Sequence, residues 1–483
     1  MALVTMTDRH SCNVNWVSRS RRDFLQHFGM GLGGLALGDL LGRDTFAANV
    51  EGVAPLAPRL TPKPGTAKNV IFLFMQGGPS HLETFDPKPV MGKFDGQLLP
   101  PDLQNFDLAQ IDTARAKILA PIFPFKKHGQ SGIEVSSLFP RISRHVDDLA
   151  VIRSCYHELF IHGSALTMMH TGTRRLGHPS VGSWVTYGLG CESDQLPAYV
   201  AMTSMMFRNG SATYSAGFLP AVFQGTFLRT QGAPIQNLKR PPGLSVQQQR
   251  KLIQQVNRWN VDHRDERPGD SRLDARIANY ELAFRMQTAA PELIDLSQET
   301  QVTCEMYGID REPTAPFGKM CLLSRRMVER GVRYIHLVDG GWDAHGSCRE
   351  NHTTRAACVD QPISALLTDL QQRGLLDSTL VVWGGEFGRT SIRQNRDGRD
   401  HHPYGFSVWM AGGGIRGGKV VGATDDFGFQ AVEDKVHVND LHATMLSLLG
   451  LPHEQLTYLF EGREHRLTDV GGQNDLSSRL TSA

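Results

Sequence analysis

Several common functional signatures are missing from this 483-residue sequence, and each absence excludes a class of protein. Charge of one sign does not accumulate, because 50 Lys and Arg residues balance 49 Asp and Glu residues, whereas a nucleic-acid-binding surface is usually strongly basic. There is no GxGxxG motif after a strand and no GxxxxGK[ST] phosphate loop, which argues against the common nucleotide-binding folds. No apolar run is long enough for a stable membrane span.

Cysteine is sparse and scattered. None of the seven cysteines forms a CxxC pair, so a zinc-ribbon site is not expected. Cys348 and Cys358 are the nearest pair, and an oxidising location outside the cytoplasm would allow a disulfide between them. With 40% hydrophobic and 20% charged residues, the chain has the composition of a globular protein with one large α/β domain or two modest ones.

Residues 1–48 contain the parts of a twin-arginine export signal in the expected order. Arg21-Arg22 precedes the glycine-rich apolar run HFGMGLGGLALGDLL, and the small residues Ala47-Ala48 follow it. The alternative is a chance arginine pair before a short amphipathic helix. We predict export through the twin-arginine machinery to the periplasm or the exterior, with folding and metal loading before translocation.

The rest of the chain alternates apolar runs with amphipathic helices. Six runs indicate strands: 68–74, 149–156, 197–204, 332–339, 378–383 and 405–414. Because these runs do not alternate between apolar and polar residues, they predict a mainly parallel sheet covered on both faces. We therefore expect an α/β domain over residues 67–470, with a linker at 49–66, a helical insertion or cap at 245–300 and a tail at 471–483.

Side chains of the kind that bind metals follow at least four of the predicted strands. They are His81, Asp86, His157, His162, Asp339, Asp343, His345, Glu386, Asp400, His401 and His402, with Arg389 beside Glu386. In parallel sheets the loops beyond the carboxyl ends of the strands lie together, so we expect one site. Carboxylates and imidazoles without cysteine suit one or two Zn²⁺, Mn²⁺, Mg²⁺ or Ca²⁺ ions with positions open to substrate.

Each of these residues also has an ordinary structural explanation. His81 can hydrogen-bond the turn before it, and Ser164 can cap a helix. Asp343 and His345 can belong to a loop network. Glu386 is harder to explain in this way, because a carboxylate directly after a buried strand is costly unless it is paired or coordinated.

The order of the motifs resembles a known family. The segments GGPSHLETFDPKP, HGSALTMMHTG, GGWDAHG, GGEFGRT, GRDHHPYGFSVWMAGGGIRGGKVVGATDD and VNDLHATMLSLLGL are similar to those of the secreted bacterial family called domain of unknown function 1501. That family is placed in the alkaline phosphatase-like/sulfatase superfamily. The resemblance implies a three-layer sandwich and a metal-dependent hydrolase of phosphate or sulfate esters, with a small anionic molecule or a saccharide ester as substrate.

The sequence departs from the superfamily pattern at two positions. A metal-binding aspartate is expected at the end of the first strand, but Gln76 stands near that place, so the ligand is either missing or displaced to His81 or Asp86. His162 occupies the position of the nucleophile, and Ser164 follows two residues later. No Cys-x-Pro-x-Arg motif occurs, so a formylglycine-dependent sulfatase is not expected.

The resemblance and the residue pattern together assign roles. The expected catalytic residues are His162 as base or ligand, Ser164 as nucleophile unless water attacks, and Arg389 as a planar fork for an anionic substrate. The expected metal ligands are His81, Asp86, Asp343, His345, Glu386 and His401. The alternatives are a non-catalytic binding protein on a degraded hydrolase scaffold and, in third place, a transferase or mutase.

Overall fold

The computed structural model describes residues 55–104, 112–229, 235, 240, 242–267 and 271–482. The predicted export signal, residues 1–48, lies outside this part of the chain. Among the described residues, no helix combines the length and the apolar character that crossing a membrane requires.

A nine-stranded sheet forms the centre of the fold. Its strands are β1 (Asn69–Met75), β2 (Leu149–Tyr156), β3 (Tyr199–Thr203), β4 (Thr226–Arg229), β5 (Tyr334–Asp339), β6 (Thr379–Gly384), β7 (Phe406–Ala411), β8 (Lys419–Val421) and β9 (Val436–His437). The order across the sheet is β8-β2-β7-β6-β1-β5-β3-β4, and β9 also pairs with β2. All neighbours pair in parallel except β7, which is antiparallel to both β2 and β6. The predicted mainly parallel α/β sheet is therefore confirmed.

Short ribbons and helices surround the sheet. Two-stranded ribbons join Phe125–His128 to Ile133–Ser136, Gly388–Arg389 to His401–His402, Ala423–Thr424 to Ala431–Glu433, and Tyr458–Phe460 to Arg463–His465. The helices are α1 (His81–Thr84), α2 (Pro101–Gln104), α3 (His162–Thr171), α4 (Val181–Leu189), α5 (Val246–Asp265), α6 (Ser271–Ile294), α7 (Gln301–Tyr307), α8 (Ala315–Val328), α9 (Cys348–Gln372), α10 (Val438–Leu448) and α11 (Ser477–Thr481).

The central strand β1 is buried on both faces, which explains its unbroken apolar sequence. Ile71 and Leu73 belong to the large core that also contains side chains of α8 and α9. Phe74 points to the opposite face, where its ring lies 4.6 Å from the His170 ring of α3. Successive side chains of a strand point to opposite faces, so this alternation places helices on both sides of the sheet.

Residues 245–300 are largely helical, as the sequence indicates. Ser245 begins α5 with a capping box in which its hydroxyl accepts the N–H of Gln248 and its own N–H donates to the Gln248 side chain. The second long helix, α6, contributes Ala289 and Leu293 to the main core. The function of this segment as a cap stays a prediction.

The six described cysteines are free thiols. Cys348 and Cys358 lie on the same helix, α9, ten positions apart. At about 1.5 Å of rise per residue they are separated by roughly 15 Å, which is too far for a disulfide. The pairing considered from the sequence is therefore wrong.

A buried ion pair connects α1 to the loop that carries His401. Glu83 Oε1 accepts hydrogen bonds from Arg399 Nε at 2.9 Å and Nη2 at 2.6 Å, and both side chains are fully buried. Glu83 Oε2 also accepts the N–H of Ile122, and Arg399 donates to the carbonyl of Leu119. Buried charges are tolerated when paired and hydrogen-bonded in this way, so the pair fixes this loop against the domain.

Replacing Glu83 with Ala should destabilise the protein strongly, because it leaves the Arg399 guanidinium buried without its carboxylate. We expect a loss of about 3–5 kcal/mol in the free energy of unfolding. The matched control is Glu266→Ala, which removes an exposed partner of Arg267 and should cost less than about 1 kcal/mol. Denaturant titration measures both changes, and equal losses would contradict the importance of the buried pair.

Candidate metal centre

The carboxyl ends of β1, β5 and β6 bring three loops together. Met75 pairs with Asp339, and Phe74 pairs with Gly384, so the residues that follow these strands emerge side by side. Gly77 has φ of +118°, and a Cβ atom there would lie 2.6 Å from the backbone nitrogen of Asp343. Only glycine therefore allows the loops after β1 and β5 to approach so closely.

Three side chains meet at short distances at this edge. Asp343 Oδ1 lies 2.9 Å from His345 Nε2 and 3.3 Å from His401 Nε2. The two Nε2 atoms are 2.9 Å apart. His345 comes from the loop after β5, whereas His401 comes from the ribbon that pairs it with Arg389. Residues 56 positions apart in the sequence thus present the same ring nitrogen to one carboxylate oxygen.

His162 completes the cluster from the first turn of α3. Its Nε2 lies 3.1 Å from Asp343 Oδ2, and its ring centroid is 4.2 Å from that of His401. Ligand atoms of His162, Asp343 and His401 all lie within 4.8 Å of one another. The four side chains are 14–35% exposed, so the cluster is within reach of solvent.

The outer nitrogen of each imidazole faces an oxygen acceptor. His162 Nδ1 is 2.7 Å from Glu386 Oε1, His345 Nδ1 is 2.7 Å from Gln394 Oε1, and His401 Nδ1 is 2.8 Å from the carbonyl of Phe160. These acceptors favour the tautomer in which Nδ1 carries the proton and Nε2 keeps its lone pair. All three lone pairs then point towards Asp343.

Lone pairs that face one another at such distances repel unless positive charge lies between them. His162 Nε2 is buried and forms no hydrogen bond, although Asp343 is 3.1 Å away. Three imidazoles and one carboxylate, each imidazole held by an outer acceptor, match the ligands and supporting contacts of a zinc site. The residues present therefore fit a divalent metal ion.

The four side chains of the cluster shift one another's pKa values. Burial raises the pKa of Asp343, but contacts with the three imidazoles outweigh burial and hold the pKa far below its usual range. The contact with Asp343 raises the pKa of His345. Burial lowers the pKa of His162, but Asp343 and Glu386 outweigh burial and the net shift is upward. Burial lowers the pKa of His401.

Glu386 lies behind His162 and not at the centre of the cluster. Both of its carboxylate oxygens accept the N–H of Gly77, at 2.9 and 3.0 Å, and Oε1 also contacts His162 Nδ1. This fully buried carboxylate orients an imidazole. The structure thus gives it a supporting contact where the sequence suggested direct coordination.

Arg389 is placed differently from its expected role as a fork for substrate. It is fully buried, with Nε donating to the carbonyl of Gly78, Nη1 to that of Arg399, and Nη2 to Gly77 and to Asp343 Oδ1. Each guanidinium nitrogen already has a partner within the protein. Arg389 therefore holds Asp343 in place and is not accessible to an anion.

His81 and Asp86 lie away from the cluster. His81 begins α1, where its Nε2 donates to the carbonyl of Gly428 at 2.9 Å. Asp86 pairs with Lys88 at 3.0 Å and accepts the hydroxyl of Thr424. Both side chains are buried among these partners, because the helix that follows the glycine turn carries them inwards. The structure does not support the prediction that they contribute metal ligands.

Ser164 is on α3, but its hydroxyl turns back towards the helix start. It donates to the carbonyl of Ile161 at 3.0 Å. No contact joins it to the histidine cluster among the described residues. No side chain caps the start of α3, so this contact is a bond to the helix's own backbone one turn back and differs from the helix-capping alternative considered from the sequence.

Sequence reasoning missed Arg208, Gln76 as a loop anchor, and Gln394. Arg208 Nη2 lies 3.1 Å from Asp343 Oδ2, and its side chain is 40% exposed. Its position was accessible from the sequence, since it follows the predicted strand at 197–204 at the same edge of the sheet. Gln394 carried no such signal, because it lies in a polar loop far from any strand end.

Comparison with curated proteins and comparison with solved structures gave different results. A search of curated proteins found no match. The chain is similar to the lipoteichoic acid synthase LtaP from Listeria monocytogenes (11% identity, 89% of this chain and 81% of that chain, TM-score 0.37). It is also similar to the PsFucS1 sulfatase from Pseudoalteromonas sp. (13%, 86% and 72%, 0.34) and to the alkaline phosphatase from the Antarctic bacterium TAB5 (9%, 80% and 99%, 0.34).

We assign residue roles from the geometry of this chain alone. Residues 67–477 match the family model described as protein of unknown function DUF1501. The match spans most of the sequence, and the chain therefore belongs to the DUF1501 family.

Proposed function

We propose that this protein is an exported, metal-dependent hydrolase of phosphate or sulfate esters. The observation that carries the proposal is the convergence of three imidazole Nε2 atoms on the Asp343 carboxylate. Twin-arginine export fits such an enzyme, because a folded and metal-loaded protein can use that route. The substrate is an anionic ester, and the family resemblance favours a small molecule or a saccharide.

The residues proposed to hold the metal are His162, Asp343, His345 and His401. Three imidazoles and one carboxylate favour Zn²⁺ or Mn²⁺ over the oxygen-seeking Mg²⁺ and Ca²⁺. When bound, such an ion polarises an ester oxygen and lowers the pKa of a water molecule to about 7. The partial exposure of the four side chains leaves the centre open to a substrate.

The protein groups around the centre then have distinct tasks. Glu386 keeps the Nδ1 proton on His162 and fixes the angle of its ring. Arg389 holds Asp343 from the buried side. We assign nucleophilic attack to water, because the Ser164 hydroxyl is engaged with a backbone carbonyl.

A non-catalytic binding protein is the second candidate. The observation in its favour is the side chain of Gln76, which stands near the expected metal-binding aspartate and forms backbone contacts with Met206 and Arg208. A binding protein would retain an anion without hydrolysing esters. Turnover of a phosphate or sulfate monoester by zinc-loaded protein distinguishes the two candidates.

Purified protein should contain about one tightly held zinc or manganese ion per chain. His345→Ala should abolish this content, because it removes a ligand from a four-residue set. Ser164→Ala is the control and should keep both metal and turnover. Metal content is measured by inductively coupled plasma mass spectrometry after dialysis against a weak chelator.

Metal-free wild-type protein that also resists loading would contradict the metal centre. Ser164→Ala protein that retains its metal but loses turnover would instead make Ser164 the nucleophile.

Glu386→Gln should weaken metal binding by about 10–100-fold, the usual effect of removing a supporting carboxylate from a ligating histidine. The amide oxygen can still accept the N–H of Gly77, so the fold should persist. Competition with a chromogenic chelator measures affinity, and circular dichroism monitors folding. An unchanged affinity would remove Glu386 from the support of the site.

A further inference from the structure

We propose that Arg208 is the receptor for the substrate's oxyanion, presented to the metal centre by a loop that Gln76 and Asn209 anchor. This inference rests on the proposed function and identifies the residue that recognises the anionic group. It replaces Arg389, whose guanidinium is buried and has each nitrogen bonded within the protein.

The guanidinium of Arg208 has unused hydrogen-bonding capacity. It donates from Nη2 to Asp343 Oδ2 at 3.1 Å, and this is its one side-chain hydrogen bond within the described part of the chain. A guanidinium has five N–H donors in a planar fork that matches phosphate and sulfate oxygens. With 40% of the side chain exposed, those donors are available beside the cluster.

Asp343 is not an exclusive partner of Arg208. Its carboxylate is already shared by the three imidazoles and by Arg389, which lies 2.7 Å from Oδ1. Two further carboxylates lie beside the imidazoles: Glu386 contacts His162, and Asp400 Oδ1 is 3.6 Å from His345 Nδ1. Recognition of an anion therefore depends on the exposed donors of Arg208 and not on a net positive charge of the protein groups.

The loop that carries Arg208 is fastened to the protein on both sides of the arginine. Gln76 is buried, its Oε1 accepts the N–H of Arg208 at 3.0 Å, and its Nε2 donates to the carbonyl of Met206 at 3.2 Å. On the other side, Asn209 Nδ2 donates to the carbonyl of Gly163 at 2.7 Å and to the Thr167 hydroxyl at 3.2 Å. An anchored side chain loses less conformational freedom on binding than one on a mobile loop.

These contacts give Gln76 a positioning role. The residue stands near the superfamily's metal-binding aspartate, yet its amide binds two backbone groups of the loop that carries the arginine. An aspartate could accept one N–H but could not donate to the Met206 carbonyl. The departure from the superfamily pattern is therefore linked to how this chain holds its anion receptor.

The test uses zinc-loaded full-length protein and inorganic phosphate as the probe, with affinity measured by isothermal titration calorimetry. Arg208→Gln should reduce phosphate affinity at least about tenfold, since it removes a charged bidentate donor. Arg208→Lys should give an intermediate affinity, because it restores charge without the fork. The control is Arg174→Gln, which changes an exposed arginine near the end of α3 and should leave affinity unchanged.

Gln76→Ala tests the anchor separately. It should lower phosphate affinity while metal content stays at the wild-type level, because it frees the loop without removing a ligand or the arginine. Thermal unfolding verifies that each variant is folded. A variant that loses metal together with phosphate binding would contradict the anchoring role.

The outcomes separate this inference from the proposed function. Wild-type affinity for phosphate in Arg208→Gln protein with full metal content would overturn the inference and leave the metal centre intact. Wild-type protein that takes up no metal would refute the proposed function, while phosphate binding that depends on Arg208 would still support the receptor. Failure of wild-type protein to bind phosphate, with or without zinc, would overturn the inference that Arg208 is an anion receptor.

Discussion

The carboxylate of Asp343 is the group around which the polar residues at this sheet edge are arranged. Three imidazoles and two guanidinium groups approach its two oxygens within 3.3 Å. Such crowding around a single acid would be unfavourable in a loose loop, because the two guanidinium groups repel each other and the facing Nε2 lone pairs repel as well. The arrangement persists because the surrounding protein fixes each group separately. A cation among the three Nε2 lone pairs would add stability to the folded state, as metal binding generally does.

Buried polar contacts behind the cluster hold many of the groups around Asp343 in position. Gly77 donates its N–H to Glu386 and gives its carbonyl to Arg389, so one backbone position serves both supports. The Arg399–Glu83 pair fastens the neighbouring loop, and the N–H of Arg399 binds the carbonyl of Ala344. Low local polarity strengthens each of these bonds. The fold therefore orients the candidate ligands through supporting residues that are not themselves proposed to bind the metal.

The sequence predicted the sheet well because its strands are buried on both faces. The run 149–156 matches β2 residue for residue, and the run 332–339 begins two residues before β5. The antiparallel direction of β7 was not predictable, since a buried strand has the same composition in either direction. Short edge strands such as β4 and β8 carry too few apolar residues to be recognised. Membership of the family was predicted from six motifs and is confirmed by the match over residues 67–477.

The candidate site illustrates a different limit. Strand ends indicate which residues share an edge, but not how many of their donors the protein itself consumes. Arg389 belongs to a conspicuous motif, yet burial commits its guanidinium to backbone carbonyls and Asp343. Arg208 lies in an undistinguished loop and keeps donors free. Recognition of an anion requires unsatisfied, accessible donors, so exposure and hydrogen-bond count, rather than the motif, determine which arginine can bind substrate.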